Sequence, residues 1–229
     1  MKTRIATLLI ALTGLMLGAS SAQASLIIGA TAGGNCYPFG CNDSGLSVGQ
    51  SIHYQQIYSN TEFTGPINIE SLTFFSSLLP GNILSGNYTF HLSTAAVSLF
   101  AMSTTLADNI GADNALFFSG SLGTGSLAFT VTGTPFSYDP ALGDLLLDIV
   151  VNDQDNVPNS GNNGYNDAVG SPITVTQRGF AVGNSGAIVG TGALVTGFNV
   201  TPVSVPVPGT LALVGLCLMG LAQARRKKH

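Results

Sequence analysis

The sequence predicts an all-β protein built as a single antiparallel β-sandwich of jelly-roll-like topology. Apolar residues alternate with small polar ones over short runs, the pattern of half-buried strands. Turn clusters rich in Gly, Asn and Pro recur at spacings of about 10–15 residues. Helical periodicity is scarce, and the 229-residue chain contains 29 Gly. These observations favour short strands over helices through the centre of the chain.

Two segments show the alternation most clearly. Tyr88, Phe90 and Leu92 alternate with polar residues, and the odd-numbered residues from Leu145 to Val151 form one apolar face. The segment from Thr94 to Leu106 is the exception, because its pattern also suits a short helix. The predicted strands lie at residues 48–58, 67–75, 88–93, 115–119, 126–131, 145–151, 173–177 and 193–199.

The N-terminus has the three parts of a secretory signal peptide, predicted over residues 1–24. A basic start with Lys2 and Arg4 precedes an apolar run from Ile5 to Leu17, and Ala22-Gln23-Ala24 supplies the small-residue cleavage site. A first transmembrane helix is the alternative, but the run is shorter than the roughly 20 residues that a span needs. Cleavage after Ala24 leaves residues 25–200 as one exported domain.

The C-terminus also has three parts. Residues 201–208 form a linker whose end reads Val205-Pro206-Val207-Pro208 before Gly209, and an apolar run extends from Thr210 to Ala222. The basic residues of the tail are Arg225, Arg226, Lys227 and Lys228. We therefore predict a short transmembrane segment within 209–229 with a cytoplasmic basic tail, which places the domain outside the inner membrane.

This order of motif, short apolar run and basic end resembles the PEP-CTERM sorting signal, with Val207 where that family usually has Glu. The resemblance implies that a membrane-embedded exosortase recognises the tail and releases or transfers the body towards the surface. The protein would be membrane-anchored transiently and then become part of the cell surface or of an extracellular polysaccharide (biofilm) matrix. A plain single-pass anchor is the alternative.

Charge is distributed unevenly along the chain. Of seven Lys and Arg residues, two lie in the signal peptide and four in the tail, which leaves Arg178 against eleven acids. The mature domain therefore carries a net charge of −10. A charge of this sign and size repels the phosphate backbone, which excludes nucleic acid as a partner.

The cysteines predict a small disulfide-closed loop. Cys36 and Cys41 flank four residues in an exported segment, where oxidation is favoured. Free thiols are the alternative, and a metal site would need two further ligands nearby. Cys217 lies within the apolar run of the tail, where it serves as a helix residue.

One sequence pattern of hydrolytic enzymes occurs out of context. Gly45-Leu46-Ser47-Val48-Gly49 matches the nucleophile-elbow pattern, but a loop precedes it and a strand follows. The body histidines, His53 and His91, lie on predicted strands. We expect the protein not to be an enzyme.

Pairs of neighbouring carboxylates suggest a glycosidase as the competing class. Asp144 with Asp148, or Asp153 with Asp155, could supply members of an acid pair, which must face each other across a cleft. Neighbours on one strand do not provide that geometry, and the chain has no Trp to line a sugar subsite.

The Asn- and Asp-rich segment 152–167 is the candidate metal site. Calcium takes six to eight oxygen ligands, which carboxylates, amide carbonyls and loop backbones supply. Asp153, Asp155 and Asp167 are the predicted ligands, although their spacing matches neither an EF-hand nor a calcium β-roll. A solvated polar loop is the alternative.

The sequence favours a non-enzymatic exported protein with a structural, adhesive or glycan-binding role. For glycan binding, Tyr37, Tyr138 and Tyr165 lie in or beside predicted loops and could form aromatic platforms, while packing in the core or in turns is the alternative. A secreted carbohydrate-active enzyme and a simple single-pass anchored sandwich are the alternatives for the whole protein.

Overall fold

The computed structural model of the protein describes residues 23–41, 51–79, 81–123, 125–153, 164–171 and 173–203. Most of the predicted signal peptide, the Gly45–Gly49 pattern, Asp155 and the whole sorting segment with its basic tail therefore lie outside the described residues. The account below concerns the body, by which we mean the described residues.

The body is all-β, and its sheets are antiparallel. Its strands are β1 (Ala24–Ile28), β2 (Thr31–Asn35), β3 (Ile52–Tyr58), β4 (Ile67–Phe74), β5 (Gly86–Thr94), β6 (Ala115–Leu122), β7 (Phe129–Tyr138), β8 (Leu145–Asn152), β9 (Asn166–Val169), β10 (Thr176–Val182), β11 (Ile188–Gly190) and β12 (Thr196–Pro202). Short 3-10 helices cover Asn60–Glu62, Leu99–Ala101, Leu106–Asn109 and Pro140–Leu142.

The strands form two larger sheets and one small one. The four-stranded sheet has the order β1-β12-β4-β7, the six-stranded sheet β11-β10-β3-β8-β5-β6, and β2 pairs with β9. Each of the eight segments with predicted alternation contains or overlaps an observed strand. The strands β1, β2, β9 and β11 were not predicted, because each has five residues or fewer and little alternation.

One hydrophobic cluster contains residues from both larger sheets. Tyr54, Phe90 and Leu147 of the six-stranded sheet belong to the same buried cluster as Phe74 and Phe198 of the four-stranded sheet. The alternation along each strand therefore directs one face of each sheet to a shared core.

The segment predicted as a possible short helix, Thr94 to Leu106, does not form one. It contains the 3-10 helix Leu99–Ala101 and extends to the start of a second one. Met102 and Leu99 pack in a second buried cluster with Ile57 of β3. These buried side chains hold the segment in place. The Leu99 N–H donates to the carboxylate of Asp144, on another loop, instead of to a helix carbonyl.

The loop closed by the cysteines carries a core residue. Cys36 and Cys41 form a disulfide, with Cα atoms 4.6 Å apart, and the N–H of Gly40 and of Cys41 both donate to the Cys36 carbonyl. This tight turn directs Phe39 into the core, where its side chain is fully buried. Aromatic rings of both larger sheets surround it, namely those of Phe74, Tyr88, Phe90 and Phe129.

We predict that Phe39→Ala lowers the free energy of unfolding by about 3–5 kcal/mol, because it removes the ring and leaves a cavity between the two sheets. Urea unfolding of the disulfide-intact protein measures the change. Leu79→Ala is the control, since Leu79 is exposed and its truncation should cost less than about 0.5 kcal/mol. Equal losses in the two variants would contradict the central position of Phe39.

Candidate functional site

The strand that leads to the sorting segment lies inside the four-stranded sheet. Strand β12 pairs with β1 on one side and with β4 on the other. Beyond its last residue, the Val203 N–H donates to the Pro66 carbonyl at 3.1 Å, and the Thr201 hydroxyl donates to the Glu70 carboxylate at 3.0 Å. The last described residue, Val203, therefore lies beside the start of β4.

The N-terminal strand begins at the same end of that sheet. Ala24 is in register with Val200, and the side-chain amide of Gln23 donates to the second oxygen of Glu70 at 3.0 Å. In the uncleaved chain, Glu70 thus accepts hydrogen bonds from Gln23, just before β1, and from Thr201 of β12. Gln23 and Ala24 belong to the predicted signal peptide, so the predicted cleavage site lies beside the last strand of the body, and the hydrogen bond from Gln23 is lost on cleavage.

The loops at this end are tied together by one carboxylate. Asp144 accepts hydrogen bonds from the backbone N–H of Asn60 at 2.9 Å and of Leu99 at 2.7 Å. The side chain of Asn60 also donates to the Pro140 carbonyl at 3.0 Å. We call the region formed by residues 60–66, 99–101, 138–144 and 203 the terminal end.

Tyr138 lies beside a loop, at the end of β7, but it packs in the core, which is the alternative to a sugar platform. Its side chain is only 1% exposed, and its hydroxyl donates to the Gly143 carbonyl at 2.6 Å. Burial, together with the nearby carboxylates of Asp144 and Asp139, raises the pKa of this phenol above its ordinary value. Tyr138 is therefore a buried packing residue of the terminal end.

The other two tyrosines also have partners inside the body. The Tyr37 ring stacks on Phe180 with ring centroids 4.3 Å apart. Tyr165 is partly buried, and its backbone N–H donates to the Leu79 carbonyl at 3.2 Å. The three tyrosines therefore belong to three different packing environments.

The carboxylates of the predicted Asp144–Asp148 pair have separate structural partners. Asp144 accepts the two backbone hydrogen bonds described above, whereas Asp148 is buried and its carboxylate contacts His53 Nε2 at 2.5 Å. His91 lies in register with Asp148 on the neighbouring strand β5. The two predicted acids therefore serve a loop junction and a cross-strand contact.

The predicted calcium ligands are distributed over different surroundings. Asp153 follows the last residue of β8 with a positive φ of 53°, is exposed, and accepts a hydrogen bond from the Asn87 amide at 3.3 Å. Asp155 lies outside the described residues. Within the described ranges, no three His, Cys, Asp or Glu side chains form a group that could hold a metal ion. Calcium binding by this segment stays a prediction.

Asp167 has an extensive set of hydrogen-bond donors. Its carboxylate accepts from the Ser77 N–H at 2.8 Å, the Ser77 hydroxyl at 2.7 Å and the Thr31 hydroxyl at 3.2 Å. Burial by itself would raise the pKa of this carboxyl, but the hydrogen bonds from Ser77, Leu78 and Thr31 outweigh it, and the pKa lies below its ordinary value. Asp167 therefore joins β9 to the loop after β4.

The sequence pattern did not indicate the structural roles of Arg178 and Phe39. The Arg178 guanidinium lies 4.7 Å from the centroid of Phe180, and its Nε donates to the Thr191 carbonyl at 2.6 Å. A second donor reaches the side-chain oxygen of Asn35 at 3.3 Å. The available signal was composition, because Arg178 is the only cation between the signal peptide and the tail.

We predict that Asp167→Asn lowers the free energy of unfolding by about 1–3 kcal/mol at pH 7, because it weakens charge-assisted hydrogen bonds. A depressed folded-state pKa stabilises the protein above the unfolded value of about 3.9, and this contribution is lost as the pH falls through the folded value. The parent protein should therefore lose more stability than Asp167→Asn between pH 7 and pH 3. Asp153→Asn, at an exposed carboxylate, is the control, and equal acid sensitivity of parent and Asp167→Asn would contradict the assignment.

The prediction that calcium binds Asp153, Asp155 and Asp167 requires Asp167 to exchange its hydrogen bonds from Ser77 and Thr31 for the ion. Calorimetric titration should give binding heat, and the melting temperature should rise with calcium but not with an equal concentration of potassium. If calcium produced neither binding heat nor a rise in melting temperature, the predicted calcium site would be wrong.

Comparison with known families concerns the C-terminus. The family model described as the PEP-CTERM protein-sorting motif matches residues 204–227. The match includes Val207, so the departure from the usual Glu does not prevent it. No curated protein and no solved structure matches the chain.

Among the described residues, no helix has the length and apolar character required to cross a membrane. The motif implies export, processing by exosortase, a membrane enzyme, and a surface or extracellular destination. The chain therefore carries the PEP-CTERM protein-sorting motif, directly after the last strand of its all-β body.

Proposed function

We propose that this protein is a non-enzymatic component of the cell surface or of an extracellular polysaccharide matrix, delivered there as a jelly-roll-like β-sandwich after exosortase processing. The observation that carries the proposal is the position of the sorting motif: β12 ends at Pro202, and the family match begins at residue 204. The motif thus follows the folded body without an intervening strand.

Removal of the tail is compatible with the fold. A cut between Pro206 and Gly209 leaves all of β12 with its two neighbouring strands, and it leaves the hydrogen bond between Val203 and Pro66. None of the strands would lose a residue. The released body would therefore retain the sheets that it had while anchored.

The use of the acids supports a structural role over a catalytic one. The carboxylates of Asp144 and Asp167 are committed to several hydrogen bonds within the body, and Asp148 is paired with His53. A glycosidase needs two acids free to face a substrate across a cleft. Structural use of these side chains favours a matrix component, whose adhesive or glycan contacts would be made by its surface.

We predict that the protein recovered from its native host begins at Ser25 and ends between Pro206 and Gly209 in the extracellular or surface fraction. Intact-mass measurement and C-terminal peptide mapping of separate membrane and extracellular fractions test this. A chain found only in the membrane and extending to His229 would establish a plain anchor instead.

Two variants test whether the motif directs this processing. The double variant Pro206→Ala/Pro208→Ala should accumulate uncut in the membrane, whereas Val207→Glu, which installs the usual residue of the family, should be processed at least as well as the parent.

The non-enzymatic role is tested by incubating the released protein with polysaccharide purified from the host. Formation of new reducing ends would identify a carbohydrate-active enzyme and overturn the non-enzymatic role.

A further inference from the structure

We propose that, while the tail is attached, the terminal end lies against the surface of the lipid bilayer and contacts it through Phe100 and Leu142. The inference rests on the proposed function, because it requires the sorting segment to anchor the body. It goes beyond that function by assigning an interaction surface on the body and a lipid partner for it.

The two side chains project from adjoining loops. Phe100 follows Leu99, whose N–H donates to the Asp144 carboxylate, and Leu142 precedes that same aspartate by two residues. Within the second loop, the Tyr138 hydroxyl donates to the Gly143 carbonyl. The hydrogen bond from Leu99 to Asp144 therefore joins the two loops at the end of the body where β12 ends.

The exposure of these side chains is unusual for their type. Leu142 is 73% exposed and Phe100 is 70% exposed, more than the other large apolar side chains that are exposed in the body. Val203, the last described residue before the sorting motif, is 39% exposed at the same end. Phe100 and Leu142 lie on loops joined through Asp144, and burying two such exposed apolar side chains in the apolar part of an interface is favourable.

The length of the connecting segment restricts where this surface can lie. Six residues, 204–209, separate Val203 from the start of the apolar run at Thr210. Even a fully extended chain covers less than about 25 Å over this distance. When the apolar run is inserted, the body is therefore held beside the bilayer with the terminal end as its attached end.

Charge restricts the kind of lipid. Glu62 and Asp139 belong to the loops of the terminal end, and the mature domain carries a net charge of −10. A strongly anionic surface would repel this end. We therefore expect the contact on a zwitterionic bilayer.

The absence of Trp from the chain allows a direct test. Phe100→Trp and Leu142→Trp each introduce one indole at the terminal end. Leu79→Trp introduces one at an exposed site, 56% accessible in the parent, on the loop that follows the opposite end of β4. Each full-length chain is reconstituted in phosphatidylcholine nanodiscs, with and without lipid brominated near the headgroup, and the indole emission is recorded.

We expect brominated lipid to reduce the emission of the indoles at positions 100 and 142 and to leave that at position 79 unchanged. Emission at the first two positions should also be shifted to the blue relative to position 79. Each variant is first checked for the parent's circular dichroism and melting temperature, which exposed substitutions should preserve.

The possible failures have different meanings. Insertion is measured separately, by co-migration of the chain with the nanodiscs. A chain that does not insert overturns both the anchoring tail and the contact. An inserted chain whose indoles at positions 100 and 142 are quenched no more than the one at position 79 overturns the bilayer contact alone and leaves the sorting function intact.

Discussion

The fold depends on the contact of one side chain with both larger sheets. Phe39 touches Phe74 and Phe129 of the four-stranded sheet and Phe90 of the six-stranded sheet, and the disulfide-closed loop before β3 delivers it there. Packed sheets contact each other through interdigitated side chains. Phe39 belongs to neither of the two larger sheets, but its ring fills space between them and so affects how they pack. The small ring of Cys36 and Cys41 thus acts on the core rather than on the chain end alone.

Alternation predicted much of the fold because alternate residues of the longer strands face the shared core, even in β8, whose other face is buried too. In β8, Leu145, Leu147 and Ile149 are fully buried on the core side, as their spacing requires. The short strands β1, β2 and β9 are specified by partners far away in the sequence, which a local pattern cannot reveal. Tyr138 shows the same limit for side chains, because its ring packs edge-on against Phe63, which lies far earlier in the sequence.

The sorting segment was recognisable from residue order alone, because the family motif is a linear signal. Its relation to the rest of the molecule was not, because it depends on long-range pairing. The register of β1 on β12 brings the two ends of the body together, and the extra residue in the pairing of β4 with β12 is Glu70. Before signal cleavage, Glu70 accepts side-chain hydrogen bonds from Gln23 and Thr201, which no spacing in the sequence indicates.

The position of Arg178 has a consequence for how copies of the processed protein meet. Its guanidinium is occupied with Thr191, Asn35 and the ring of Phe180, so the one cation of the mature domain is engaged in holding its own fold. Two such domains approaching each other at neutral pH present carboxylates to carboxylates. Physiological salt limits their repulsion to about 8 Å. Crowded copies would therefore behave as close-spaced but mutually repelling particles, held in place by whatever surrounds them rather than by each other.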